Sequence, residues 1–117
     1  MDGKTQKDNR APVRIQIEYG DGGPFFSAQS LNISRGGVFL QTEYLLAPGR
    51  AVLLNFNMPE GPRVSTRGQV IWTRTPGDPR GPAGMGIQFE TLPPEALRVI
   101  EDLLQKSQKK GNGGAPS

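Results

Sequence analysis

The strongest constraint on this chain is a two-residue alternation that recurs between clusters of glycine and proline. Val13, Ile15, Ile17 and Tyr19 alternate with Arg14, Gln16 and Glu18. That period puts apolar side chains on one face of an extended strand and polar ones on the other. A second strand runs from about Phe25 to Ile33, where Phe26, Ala28, Ser30 and the neighbouring Leu31 are less cleanly patterned. Val38–Thr42 is a third, and Val52, Leu54, Phe56 and Met58 mark a fourth. A long fifth strand, about Val64–Thr73, is expected to place Val64, Val70 and Trp72 on one side, and Met85, Ile87 and Phe89 alternate in a sixth. The separators are Gly20–Pro24, Ser34–Gly37, Ala47–Gly49, Pro59–Pro62 and Pro76–Gly84, all rich in residues that punctuate strands. Six half-buried strands at this spacing predict a mainly β fold, a small antiparallel barrel.

After the sixth strand the period changes. Pro93-Pro94-Glu95 is a helix start, because proline in the first turn lacks only a donor that would have no partner there. Ala96, Leu97, Ile100, Leu103 and Leu104 then form one apolar stripe, so a C-terminal helix is expected to pack on the barrel and plug one end. Residues 1–9 read as a flexible arm, 10–106 as one domain and 107–117 as a disordered tail.

Composition narrows the chemistry. The 117 residues include no Cys and no His. Disulfides, cysteine-based zinc or redox sites and histidine-dependent triads are therefore out. The longest apolar run is Ala51–Leu54, far short of the roughly 20 residues of a membrane-spanning helix. The polar start, MDGKTQKDNR, lacks the apolar stretch of a signal peptide. The expectation is a soluble cytoplasmic protein without enzymatic activity, with no metal, no cofactor and no membrane insertion.

The formal charge of +3 suggests nucleic acid until it is located. Residues 9–106 hold ten basic and nine acidic side chains, so the excess lies mostly at Lys109 and Lys110. A body this balanced lacks the footprint of a protein that tracks a phosphate backbone, and nucleic acid is not an expected partner. Nine of the ten basic residues in the body are Arg, whose planar fork suits bidentate recognition of a compact ligand.

Two short features stand out. Arg10 and Arg14 frame RAPVR just before the first strand, and Asn32-Ile33-Ser34-Arg35-Gly36-Gly37 closes the second. Alone, the first is more often a solvated face and the second more often a turn capped by its own side chains. In an antiparallel pair, however, the start of strand one lies beside the end of strand two, so both should meet at one rim. There Arg10 and Arg14 supply forked donors, Asn32 both donors and an acceptor, and Ser34 a hydroxyl; Gly36 and Gly37 allow close approach of backbone. Such a set suits a purine nucleotide carrying phosphates, since arginine can meet the O6/N7 edge of guanine with two hydrogen bonds.

With both motifs in order, the sequence over roughly 9–106 resembles the PilZ domain, a bacterial receptor for the second messenger cyclic di-GMP. Val70-Ile71-Trp72 and Gly86-Ile87-Gln88-Phe89 look like that family's later strands. The resemblance implies a PilZ-type six-stranded antiparallel barrel with a C-terminal α-helix. It also implies that Arg10 and Arg14 clamp guanine bases and phosphates, that Asn32 hydrogen-bonds a guanine, that Ser34 makes a polar contact and that Gly37 leaves the ligand room. Asn9 matches a position tied to whether one ligand or a stacked pair binds. Arg35, Gly36 and Trp72 are further candidate contacts, with core packing the alternative for Trp72, and Arg74 is a further positive charge. The implied function is a cyclic di-GMP sensor acting on a protein partner in trans, as a monomer or a homodimer. The alternative is an interaction adaptor on the same barrel that binds no nucleotide.

Overall fold

The computed structural model describes residues 12–58 and 63–114, with side chains described as far as Lys106. The Asn9 and Arg10 expectations, the N-terminal arm and the Pro59–Pro62 turn lie outside the described residues.

Six strands form: β1 (Gln16–Gly20), β2 (Phe26–Ile33), β3 (Gly37–Gln41), β4 (Ala51–Asn57), β5 (Val64–Arg74) and β6 (Gly84–Phe89). All neighbours pair antiparallel, in the order β1-β2-β3-β6-β5-β4, and β4 returns to β1 to close the barrel. Closure leaves no strand edge open to another chain. The inward positions are those the alternation predicted: Ile17, Tyr19, Leu40, Leu54, Phe56 and Met85 are all fully buried. Burying each such side chain contributes about 1.5–3 kcal/mol.

The helix, α1, spans Pro94–Gly114. Its first turn is closed by Leu97 N donating to Pro93 O at 2.9 Å, and Glu95 there opposes the positive end of the helix dipole. Ala96, Ile100 and Leu104, four residues apart, join the barrel core. Helical backbone continues to Gly114, through the first eight residues of the segment 107–117 expected as a disordered tail. No helix among the described residues is long and apolar enough to cross a membrane.

Two departures from strict alternation position the outer face. On β2, Ser30 pairs with Leu40 and Asn32 with Phe39, so Leu31 is an extra residue with no partner. On β5, Val70 pairs with Ile87 and Trp72 with Gly86, leaving Ile71 as the extra one. Each bulge reverses the inward and outward order of the residues beyond it on the strand. Trp72 therefore does not share the face of Val64 and Val70, as the alternation predicted. Those two are 7% and 1% exposed and face the core, whereas Trp72 is 44% exposed on the outside. By the same reversal Asn32 faces out and Ile33 faces in.

The first strand also differs. Its ladder begins at Gln16 rather than Val13, because the fully buried Ser30 takes over the pairing upstream. Ser30 Oγ accepts from Ile15 N at 3.0 Å and donates to Val13 O, while Ser30 N donates to Ile15 O at 3.0 Å.

Candidate functional site

Those three bonds flank Arg14. Val13 and Ile15 are both held by Ser30, and Arg14 between them projects outward, exposed, on the opposite side from Ile15. Asn32 lies two residues beyond Ser30 on β2. The start of the first strand and the end of the second thus meet at one rim, as expected from antiparallel pairing. Ser30 itself was not singled out in the sequence. The available signal was a hydroxyl at an inward position of a strand, since a buried hydroxyl needs partners.

Across the outside of the barrel runs one row set by register: Asn32 opposite Phe39, Phe39 opposite Gly86, and Gly86 opposite Trp72. Gly86 makes this row a shelf. A Cβ there would sit 2.3 Å from Trp72 Nε1, so only glycine lets the indole cross β6. Trp72 thereby stacks on Phe39, with ring centroids 5.3 Å apart and planes at 24°. Arg74 lies over both rings, its guanidinium carbon 4.9 Å from the Phe39 centroid and 5.4 Å from that of Trp72. Such cation–π contacts contribute about 0.5–1 kcal/mol at exposed sites.

Asn32 is the one described side chain with a buried polar atom lacking a partner: its Oδ1 accepts no hydrogen bond. Leaving such an acceptor unpaired costs about 1–3 kcal/mol. The unpaired acceptor sits at one end of the aromatic shelf. Asn32→Ala is accordingly expected to leave the unliganded protein at least as stable as wild type, because the orphaned acceptor is removed with the side chain. Thermal unfolding without ligand checks this.

Beside the shelf a cleft of about 610 Å3 opens between the sheet and the loop that joins β5 to β6. Arg14, Gln29, Gln41, Thr42 and Glu43 line one side, and the loop from Pro76 to Ala83 forms the other. Its size is that of a small-molecule site. The loop is internally braced. Asp78 accepts from Arg80 Nε at 3.0 Å, from Arg80 Nη2 at 2.7 Å and from Arg80 N at 2.9 Å. Those hydrogen bonds hold the Asp78 carboxyl well below the usual carboxylate range.

The rest of the NISRGG segment is engaged within the fold. Ser34 is 6% exposed, and its Oγ accepts from Gly36 N at 3.1 Å. Ser34 N donates to Gly37 O at 2.8 Å, which closes a tight β2–β3 turn over Arg35 and Gly36. Arg35 reaches the helix, with Nε donating to Glu101 Oε2 at 3.1 Å. A Cβ on Gly37 would lie 2.2 Å from Ile87 O, so what a side chain would crowd at that position is the neighbouring strand. Gly36 is exposed, with only Ser34 Oγ, at 3.9 Å, near a built Cβ. Of the candidates within the described residues, Arg14, Asn32 and Trp72 share the outer face, while Ser34, Arg35 and Gly37 are held by the turn, the helix and β6.

A closed barrel with a filled interior can hold a ligand only on its outside, and here the outside carries an arginine, an unsatisfied amide and an aromatic shelf beside a cleft. A sequence profile of the PilZ domain matches residues 4–106. The chain belongs to the PilZ domain family. No curated protein matches the chain. Among solved structures, it is similar to the Bacillus subtilis inhibitor of motility MotI/DgrA, with a TM-score of 0.70 at 18% identity, covering 91% of this chain and 51% of that one. It is also similar to the PilZ domain of CeSA from a cellulose-synthesizing bacterium, with a TM-score of 0.59 at 17% identity and 83% and 95% coverage. PlzA of Borreliella burgdorferi, whose structure is a complex with c-di-GMP, gives 0.59 at 13% identity, covering 89% of this chain and 38% of that one. The chain thus spans about half the length of MotI/DgrA; at these identities the likeness is one of fold.

Proposed function

We propose that this PilZ domain is a receptor for cyclic di-GMP that binds on the outer face of β2, β3, β6 and β5, catalyses nothing, and signals through an altered contact with a protein partner. The observation that carries the reading is the unpaired Asn32 amide at one end of the Phe39–Trp72 shelf, on the same outer side of the barrel as the exposed Arg14. Guanine suits this arrangement. Its O6 and N7 accept from an arginine fork, its N1–H and N2–H2 can donate to Asn32 Oδ1, and its face can stack on an aromatic ring. Family membership and the c-di-GMP complex of PlzA support the same ligand. Arg10, four residues before Arg14, is the second arginine of the pair in this reading.

In this reading Ser34, Gly36 and Gly37 serve chiefly by shaping the turn that presents Asn32, and Asn9 bears on how many ligands bind. Bound ligand would change the surface offered to a partner. Calorimetric titration with cyclic di-GMP, with GTP and cyclic di-AMP as controls, tests the reading. Saturable binding restricted to cyclic di-GMP is expected, and its stoichiometry reports whether one ligand or a stacked pair is held. No binding by the wild type at tens of micromolar would leave the interaction adaptor that binds no nucleotide as the better account.

A further inference from the structure

We infer that Arg74 is the positioning residue that assembles the site before ligand arrives, by clasping the β5–β6 loop to the Phe39–Trp72 shelf. This rests on the reading of the domain as a receptor. Three observations converge on one side chain. Arg74 Nε donates to Pro82 O at 2.8 Å, which ties the far end of the loop to β5. The same guanidinium covers Phe39 and Trp72 at 4.9 and 5.4 Å. Gly81 lies directly against it, where an added methyl would stand 3.0 Å from Arg74 Nη2.

Arg74 does not itself line the cleft, but Pro76, Gly77, Gly81, Pro82 and Ala83 do. Its effect on ligand is therefore exerted through the wall and the shelf. The Asp78–Arg80 brace and the bonds from Asp78 N to Thr75 O and from Gly81 N to Asp78 O make the loop internally rigid. Thr42 N donating to Ala83 O at 3.1 Å ties the far end of the loop beside β3, and Arg74 adds the tie to β5 and to the shelf. The task requires a plane that stacks while its edge donates, which a lysine ammonium cannot provide.

A shelf and wall held in place raise the fraction of molecules competent to bind, and apparent affinity scales with that fraction. Arg74→Ala, Arg74→Lys and Gly81→Ala test the clasp with two readouts. The first needs no ligand. Trp72 is the only tryptophan in the chain, so acrylamide quenching of its fluorescence reports the shelf alone. Quenching is expected to rise in all three variants while thermal unfolding and circular dichroism of the two Arg74 variants stay near wild type, since Arg74 sits on the outer face and outside the core cluster; Gly81→Ala also carries backbone strain, Gly81 having a φ of 156°.

The second readout is cyclic di-GMP affinity by calorimetry. Arg74→Ala and Arg74→Lys are each expected to lose about ten-fold, corresponding to a competent fraction near one tenth. Equal loss in both supports a geometric clasp. Full retention by Arg74→Lys against loss in Arg74→Ala would overturn it in favour of plain charge attraction. Unchanged quenching in Arg74→Ala, or unchanged affinity where the wild type binds, also overturns it. Absence of binding by the wild type would overturn both this inference and the receptor reading, whereas wild-type binding with an unaffected Arg74→Ala overturns this one alone.

Discussion

Replacing Arg14 with alanine is expected to weaken cyclic di-GMP binding by about 30- to 150-fold while leaving the barrel intact. The magnitude comes from losing charge-assisted hydrogen bonds worth about 2–3 kcal/mol together. The intact fold comes from exposure: Arg14 takes part in none of the four ion pairs among the described residues, and its neighbours are held through their backbones by Ser30. A substitution at such a surface position ordinarily changes stability by no more than about 0.5 kcal/mol. Arg14→Lys is expected to fall between the two proteins, keeping the charge and losing the fork. Parallel titration and thermal melts check both halves. Wild-type affinity in Arg14→Ala would refute the proposed site, and a collapsed melt would mean that the arginine serves the fold.

Gly37→Ala is expected to produce the largest loss of stability among the motif residues, about 3 kcal/mol, at the upper end for overpacked sites. The added methyl would meet Ile87 O at 2.2 Å, the Ile87 carbonyl carbon at 3.2 Å and Gln88 Cα at 3.3 Å, all of them backbone. β6 cannot retreat without loosening its ladder to β3, in which Gly37 pairs with Gln88 and Val38 with Ile87. For a domain of this size that corresponds to a fall in Tm of roughly 10–20 °C. Gly36→Ala is the control, with open space around its built Cβ, and should melt near wild type. The contrast needs no ligand. Equal melting of the two variants would show that the glycine is required by something other than strand approach.

These two expectations divide the motif residues by task. Asn-x-Ser-x-x-Gly reads as a single ligand-binding string, yet its members do different things in three dimensions. Asn32 faces the open sheet, Ser34 caps its own turn and Gly37 admits the next strand. The close approach of β6 to Gly37 depends on a residue 50 positions away in the chain, Ile87, and nothing local to Gly37 announces it.

The strands, the barrel and the helix were legible in the chain alone, because period two, period 3.6 and Gly/Pro punctuation are local signals that each segment carries by itself. So was the adjacency of the segments that carry Arg14 and Asn32, since antiparallel pairing of consecutive strands leaves little choice. Which way Asn32 and Trp72 face was settled only by tertiary pairing. Even-numbered residues point inward along β2 through Ser30 and along β5 through Val70, so alternation alone buries Asn32 and Trp72. Bulges at Leu31 and Ile71 turn both outward onto one row. A bulge is a mismatch in count between two strands, and it exists only once the partner strand is in register. The same holds for the clasp at Arg74, whose partners Phe39, Gly81 and Pro82 come from β3 and the loop and converge only when the barrel closes.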